Sequence, residues 1–448
     1  MGLTGIQIFK LLPKTNCKEC GHPTCLAFAM ALATGKADLS SCPYVSDEAK
    51  EQLAEASAPP VRPIQIGAGD RSFKLGGETV LFRHEKTFVS PPGLGALVAS
   101  DTDEGKLAER LKVWDNLQFE RVGLNLRPEL VAIKDVGGDS GRFATLAKKV
   151  VDESDFCLVL MSEDVGTMRA GIDASIERRP AIYAATKNNV DDMGALAKEK
   201  GLPLAVKADD MDGLMGLTNK LAGMGLKDLI LDAGSRTVRR AFEDQVWLRR
   251  EAIMKKNRAL GFPTITFPCE MADSLDKETV IAAMFIAKYA GIIILSDFIG
   301  ESLFPLLVER LNIYTDPQRP MTVKQGIYEI NGPDENSPVC ITTNFSLTYF
   351  IVSSEIEASR VPTWLLIMDT EGLSVMTAWA AGKFVGDAVG VFVNKCGILD
   401  KVRHRKLIIS GYAAAISGDL EEEVKGSEVL VGPRDAAHIP KFLKEFKA

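Results

Sequence analysis

Four of the eight cysteines lie close together near the amino end: Cys17, Cys20, Cys25 and Cys42, spaced C-x2-C-x4-C-x16-C. Three thiolates this near one another can turn onto one inorganic cube, and a distant fourth closes it, so the spacing fits a [4Fe–4S] cluster. Gly21 and Pro23 keep the middle of the loop out of helix, which lets the cysteines converge. Pro43, directly after the last cysteine, is shared with bacterial ferredoxin runs. Four thiolates are also a structural zinc set, and zinc stays open as the competitor, although zinc ribbons carry two C-x2-C knuckles and this chain has one. His22 sits inside the motif and reads as a neighbour of the centre, because four cysteines already supply the ligands. The other cysteines (Cys157, Cys269, Cys340 and Cys396) are scattered singly, three of them in or at the end of apolar runs. Clustered cysteines in a chain with no secretory signal point to metal rather than to disulfides.

The elements that must position these residues fall into three parts. Residues 1–57 read as short helices wrapped around the cysteines, and 58–64, within a run holding Pro59, Pro60 and Pro63, as a stiff linker. A lobe on such a linker suits a redox centre that approaches a partner site and leaves; a spacer serving assembly alone is the other reading. A hairpin is expected around Gly76-Gly77.

Residues 65–325 alternate strand-length apolar runs with amphipathic helices. The runs are Ala96–Ala99, Leu130–Ile133, Phe156–Met161, Ala181–Ala184, Leu204–Val206, Leu229–Leu231, Thr264–Phe267 and Gly291–Leu295. Eight repeats fit a (β/α)8 TIM-type barrel, with a doubly wound sheet as the alternative and Arg121–Leu126 as a possible extra strand. Polar residues close several runs: Ser100-Asp101, Asp135, Ser162-Glu163, Asp232 and Ser296-Asp297. They read first as caps for the following helices, and second as groups on the face where barrels bind ligands. Gly137-Gly138-Asp139-Ser140-Gly141 reads as a barrel loop ahead of a phosphate loop.

Residues 326–448 repeat the βα pattern on the scale of a small flavodoxin-like domain, with strands expected at Val339–Thr342, Trp364–Met368, Ala388–Val393, Leu407–Ile409 and Val429–Val431. Ligands of such sheets bind beyond the carboxyl ends of the strands. The strongest turn there is Thr370-Glu371-Gly372-Leu373-Ser374: Gly372 admits close approach, Thr370 and Ser374 offer hydroxyls, and a helix start at Leu373 offers free N–H groups. An ordinary cap with a turn glycine explains the same residues. Cys340, Ser346 and Pro433 are further candidates, with Cys340 equally readable as a buried strand residue.

A net charge of −7 without a basic stripe argues against nucleic acid. No apolar run reaches membrane-spanning length and no signal peptide is readable, so a cytoplasmic protein is expected. No triad, P-loop or dinucleotide fingerprint competes.

The cysteine motif, the barrel and the terminal domain, in that order, resemble the large subunit of the corrinoid/iron–sulfur protein of the reductive acetyl-CoA pathway. The opening Gly5-Ile6-Gln7-Ile8-Phe9-Lys10-Leu11-Leu12-Pro13-Lys14-Thr15-Asn16-Cys17 is the most specific stretch. The resemblance implies a methyl carrier whose terminal domain holds a cobalamin-type corrinoid through Cys340, Ser346, Thr370–Ser374 and Pro433. Cobalt as Co(I) would take a methyl group from methyltetrahydrofolate on a separate methyltransferase and deliver it to acetyl-CoA synthase/CO dehydrogenase. The cluster, fed by a reductive activator, would restore cobalt that slips to Co(II), and a smaller barrel subunit would complete a heterodimer. Many corrinoid proteins supply an axial histidine from D-x-H-x-x-G; the corresponding turn here has none, which implies a base-off cofactor without a protein histidine ligand. Two other classes stay open: an iron–sulfur/flavin electron-transfer protein without corrinoid, and a barrel methyltransferase that binds a pterin itself. No general acid or base is expected, since methyl transfer to cobalt belongs to the cofactor.

Overall fold

The computed structural model describes residues 5–33, 37, 39–46, 48–50, 53, 58–121, 124–316 and 318–448. Packing divides the chain into two units, residues 1–81, 92–108 and 129–297, and residues 82–91, 109–128 and 298–448.

In the first unit, α1 (Gly5–Leu11) and α2 (Cys25–Ala33) build the cysteine lobe. Its small core is Ile8, Leu12, Phe28, Ala29, Val45, Ala49 and Leu53 together with Cys25 and Cys42. The proline segment that follows is tied to the barrel rather than free along its length. Arg258 donates to the carbonyls of Ala58 and Pro59, and Arg62 N–H donates to Gly261 O at 2.9 Å. The part of the expected lobe boundary at 54–57 lies outside the described residues.

The hairpin comes earlier than Gly76-Gly77. Strands β1 (Ile64–Ala68) and β2 (Arg71–Leu75) pair antiparallel around Gly69-Asp70, because Gly67 and Gly69 already take the left-handed backbone the turn needs. Ile64, Ile66 and Leu75 pack with Leu130, Cys157 and Ala181 in the barrel interior, so the hairpin plugs the amino-terminal end of the barrel.

All eight expected barrel strands are present: β3 (Gly93–Ala99), β6 (Leu130–Lys134), β7 (Cys157–Met161), β8 (Ala181–Ala185), β9 (Leu204–Lys207), β10 (Leu229–Asp232), β11 (Ile265–Thr266) and β12 (Ile292–Leu295). They are parallel, β12 pairs with β3, and Leu231 N–H donating to Pro263 O at 2.9 Å joins β10 to β11 and closes the ring. Closure decides for the barrel over the doubly wound sheet. The extra run at Arg121–Leu126 is no barrel strand. It forms a separate antiparallel hairpin, β4 (Phe119–Arg121) with β5 (Leu124–Leu126). The helices between strands are α3 (Glu104–Asp115), α4 (Ser140–Glu153), α5 (Val165–Ser175), α6 (Val190–Lys200), α7 (Met211–Gly223), α8 (Val238–Ile253) and α9 (Leu275–Ala287), and α10 (Gly300–Ile313) follows β12.

The second unit carries a five-stranded sheet in the order β13 (Gly326–Ile330), β15 (Thr363–Met368), β14 (Val339–Thr343), β16 (Lys406–Ile409), β17 (Glu428–Val431), parallel except for β13. Its inner strands are buried on both faces, and successive residues go to opposite cores. Val339, Ile341, Leu366 and Ile409 join one, while Cys340, Leu365, Ile367 and Ile408 join the other. The helices are α11 (Ser346–Ser359), α12 (Val375–Ala380), α13 (Gly386–Cys396), α14 (Ser417–Glu423) and α15 (Ile439–Lys444).

Two expectations fail here. Ala388–Val393 is not a strand but the body of α13: Gly386, Val389, Gly390 and Val393 are buried and Val391 is exposed, a helical spacing that a six-residue apolar run does not reveal. The antiparallel edge strand β13 was not expected at all.

Candidate functional sites

The cysteine lobe winds its ligand loop with an unusual backbone. Lys14, Asn16, Lys18 and Gly21 are all left-handed, at φ of 59°, 51°, 68° and 78°. Alternating left-handed residues turn successive N–H groups toward one side, the concave arrangement that receives anions and iron–sulfur centres. Asn16 makes the link explicit: its side-chain oxygen accepts from Cys25 N–H at 2.8 Å, and its own N–H donates to Cys25 Sγ at 3.4 Å. Cys25 and Cys42 are buried, Cys17 and Cys20 half-buried. Tyr44 donates to Glu19 at 2.8 Å, and that hydrogen bond, with the Glu19 charge, raises its pKa. Among the described residues no three Cys, His, Asp or Glu side chains stand close enough to hold a single metal ion.

In the second unit the strand order reverses between β14 and β16, so a crevice is expected at their carboxyl ends. A cavity of about 360 Å³ lies there. Ile351, Val375, Ile409, Ile439 and Phe442 give it apolar walls, and Thr342, Thr348, Ser374, Ser410 and Arg434 bring polar groups. Of the expected cofactor residues, Cys340, Ser374 and Pro433 line this cavity. Burial pushes the Cys340 thiol up to about 12, so it serves as an apolar wall.

Ser346 and Thr370–Leu373 lie beside the cavity, at the ends of β14 and β15, and several of their expected roles change. Thr370 is fully buried, and its hydroxyl is spent on Leu373 O at 3.0 Å and Asn344 Oδ1 at 3.2 Å. Leu373 does not start a helix: α12 begins at Val375, and Leu373 N–H donates to Thr370 O at 3.2 Å. What approaches Gly372 (φ +75°) is the chain itself, since a Cβ there would meet Thr322 at 2.8 Å and Pro320 at 3.1 Å. Glu371, also left-handed, pairs with Lys383. Ser374 meets Thr377 Oγ1 at 3.0 Å. The hydroxyls of Thr343 and Ser346 are buried without a hydrogen-bond partner. Two such orphans at the end of one strand are what a site short of its ligand leaves behind.

The sequence reading gave no role to the side chains of Asn16 and Asn344. Asn in a loop carries no periodicity; the faint signal for Asn16 was its place directly before Cys17.

The barrel mouth holds a third polar centre. The helix caps are not the residues directly after the strands: Asp139, Asp164 and Asp210 cap α4, α5 and α7, and in the glycine loop the Asp139 carboxylate occupies the helix start. Ser100, Asp135 and Ser162 instead accept from loop N–H groups, of Val136 at 2.8 Å and of Gly138 and Asp164 at 3.1 Å. Asp232 accepts from Gly234 N–H at 2.8 Å and also reaches across the mouth. Tyr183 donates to its Oδ2 at 2.6 Å and Arg236 to both its oxygens at 2.8 and 3.1 Å, while Arg236 and Lys134 share Glu270. Burial would raise Glu270, but the hydrogen bonds from Lys134 and Arg236 win and hold it below the usual carboxylate range. A cavity of about 600 Å³ opens above this network, lined also by Asp135, Glu163, Asp164 and Lys207.

Comparison with known proteins bears on all three centres. A family model described as CO dehydrogenase/acetyl-CoA synthase delta subunit matches residues 63–443, and an Fe-S cluster model matches residues 12–44. The chain is 42% identical to the corrinoid/iron-sulfur protein large subunit of Moorella thermoacetica, covering 99% of both chains. It is 37% identical to the acetyl-CoA decarbonylase/synthase complex subunit gamma of Methanopyrus kandleri, over 99% of this chain and 98% of that one. The gamma 2 subunit of Methanosarcina thermophila is likewise 37% identical, over 98% of each. No helix among the described residues is long and apolar enough to cross a membrane.

Proposed function

We infer the function from one premise: the chain belongs to the CO dehydrogenase/acetyl-CoA synthase delta subunit family and, along its whole length, to the corrinoid/iron–sulfur large subunits and decarbonylase/synthase gamma subunits within it. It is a methyl carrier of the acetyl-CoA pathway. A bound corrinoid would supply the cobalt chemistry for carrying a methyl group from methyltetrahydrofolate, on a separate methyltransferase, to acetyl-CoA synthase, and a [4Fe–4S] cluster would supply low-potential electrons to keep that cobalt active. The partners are a smaller barrel subunit, that methyltransferase, acetyl-CoA synthase/CO dehydrogenase and a reductive activator, all in the cytoplasm.

The chain's own residues fit both groups. Cys17, Cys20, Cys25 and Cys42 would hold the cluster, and Asn16, one of four left-handed residues between Lys14 and Gly21, already donates its backbone N–H to Cys25 Sγ. The apolar cavity between α11 and α15 suits the heteroaromatic lower base of a corrinoid, with Ser374, Ser410 and Thr342 at hand for its polar linkage and Cys340 and Pro433 as walls. Ser346, with Thr343, has an uncommitted buried hydroxyl for the same ligand. The turn at Thr370–Gly372 has spent its N–H groups internally and Thr370 O accepts from Leu373 N–H, which leaves the carbonyls of Glu371 and Gly372 to receive corrin amide N–H groups.

On this reading a bound corrinoid would have no histidine ligand from this chain; His438 is exposed, between the cavity-lining Ala436 and Ile439. His404, the histidine nearest the sheet in sequence, contacts Ser337 O at 2.9 Å with one ring nitrogen and accepts from Lys406 N–H at 3.1 Å with the other, at the amino end of β16 and away from the cavity. The observation that carries the reading is the cavity at the reversal of strand order with two orphaned hydroxyls beside it, on a chain related end to end to corrinoid proteins. Metal analysis of anaerobically purified protein tests it: about four irons and one cobalt per chain are expected. About four irons and no cobalt, even after cobalamin is added back, would leave an iron–sulfur electron-transfer protein.

The barrel mouth favours a second reading. Its lining is acidic on balance and donor-rich, uncharged heterocycles match carboxylate acceptors, so the barrel could take the pterin methyl donor directly. Equilibrium dialysis of methyltetrahydrofolate against this chain alone decides it; no retention rejects it.

A further inference from the structure

We propose that Asn344 is the positioning residue of the corrinoid face, acting with Asp369 as its partner; this rests on the reading of the second unit as the corrinoid-binding unit. Asn344 follows β14, on the flank of the sheet where the order reverses, and is buried. Its side chain makes nothing but the neighbouring turn. Its Oδ1 accepts from Thr370 N–H and Gly372 N–H, each at 3.0 Å, and its Nδ2 donates to Asp369 Oδ1 at 2.8 Å. Asp369 Oδ1 in turn accepts from Glu371 N–H at 2.9 Å. Two side chains thus fix every N–H from Thr370 to Gly372.

The consequence is conformational. Glu371 and Gly372 are consecutive left-handed residues, at φ of 56° and 75°, and a non-glycine there needs outside support. The Asn344 carboxamide supplies it and, with the N–H groups engaged, the turn offers carbonyls rather than donors to whatever lies on it. Asparagine is required for this: the residue must accept from two N–H groups and donate to a carboxylate with one side chain. An aspartate would set carboxylate against carboxylate, and an alanine would leave the N–H groups of Thr370 and Gly372 unheld. The same residue's backbone joins β14 to its surroundings, with N–H to Met368 O and O from Val323 N–H, both at 2.9 Å, so the carboxamide sits on a fixed base.

The experiment uses the full-length holoprotein and three forms: wild type, N344D, and the swap N344D/D369N. The swap restores the donor–acceptor contact between the two side chains and the acceptor for Thr370 and Gly372 N–H, but gives up the bond from Glu371 N–H, because Asp369 Oδ1 serves both Asn344 Nδ2 and Glu371 N–H. The readouts are the rate of cobalamin release into excess competing apo-binder, the visible spectrum of the bound corrinoid, iron content, and the thermal midpoint. N344D is expected to release cobalamin about tenfold faster or more, with an altered spectrum and unchanged iron, and the swap to recover part of that loss, releasing about threefold or more slower than N344D. If N344D does not fold, N344A takes its place in the same assay. A purely structural residue would lower the thermal midpoint while leaving release and spectrum as they were, and that result overturns the proposal. So does a swap that folds but releases as fast as N344D. A wild-type protein that retains no cobalamin would instead bring down the parent reading, and this one with it.

Discussion

Tyr183 donates its phenolic hydrogen to Asp232 Oδ2 at 2.6 Å across the barrel mouth, joining β8 to β10 two strands away. Burial first, then the Asp232 charge, raise the Tyr183 pKa well above its ordinary 10.0. The folded chain therefore keeps a proton that the unfolded chain gives up. Its contribution to stability stands in full below pH 10 and drains away as pH climbs from there toward the folded value. Tyr183→Phe is expected to cost about 1 kcal/mol at neutral pH and to flatten the loss of stability above pH 10. Urea titrations of both proteins from pH 8 to 11 measure this; parallel curves would contradict it.

Asn16 combines a left-handed backbone with a side chain on Cys25 N–H. Asn16→Ala loses both the tolerance for that conformation and the hydrogen bond, at a cost of about 1–2 kcal/mol to the loop. The expected result is faster bleaching of the cluster absorbance under an iron chelator, with the corrinoid spectrum unaffected.

Gly372→Ala forces a Cβ against Thr322 and Pro320 in a backbone region that alanine avoids. A loss of about 1–3 kcal/mol is expected, read as a lowered denaturation midpoint. The companion Gly382→Ala, also left-handed but in open space, should cost less.

Cys340 stays protonated at physiological pH because burial holds its thiol near 12. Iodoacetamide at pH 8 should leave the Cys340 peptide unmodified in the native protein and alkylate it after denaturation, as mass spectrometry would show. Labelling in the native state would mean that the cavity wall opens.

The fold was legible wherever burial imposed a period. Each barrel strand reads as an apolar run because parallel strands are covered on both faces, and the same holds for β14, β15 and β16. It failed where one apolar run serves two structures, as at Ala388–Val393, and where a strand is only half covered, as at β13. The cysteine motif was legible from its spacing and lies within residues 12–44, the stretch that the Fe-S cluster model matches without naming ligands. The turn at Thr370–Ser374 was found for its residue types but misjudged in its bonding, since which N–H groups remain free depends on Asn344, twenty-six residues upstream and brought there only by the parallel pairing of β14 with β15.

The closure of the barrel has a consequence in time. β3 finds its second neighbour only in β12, so the ring stays open on the ribosome until Leu295 has been made. All four cluster cysteines are made by residue 42. At bacterial synthesis rates of about 5–20 residues per second, the roughly 250 residues between give the cluster-loading machinery on the order of 10–50 s in which the lobe stands ahead of an unfinished barrel. The plugging hairpin β1–β2 is made in that interval too, and waits with Ile64, Ile66 and Leu75 uncovered until the strands that bury them arrive. Chaperone dependence should therefore concentrate in that window, before the ring shuts on its plug.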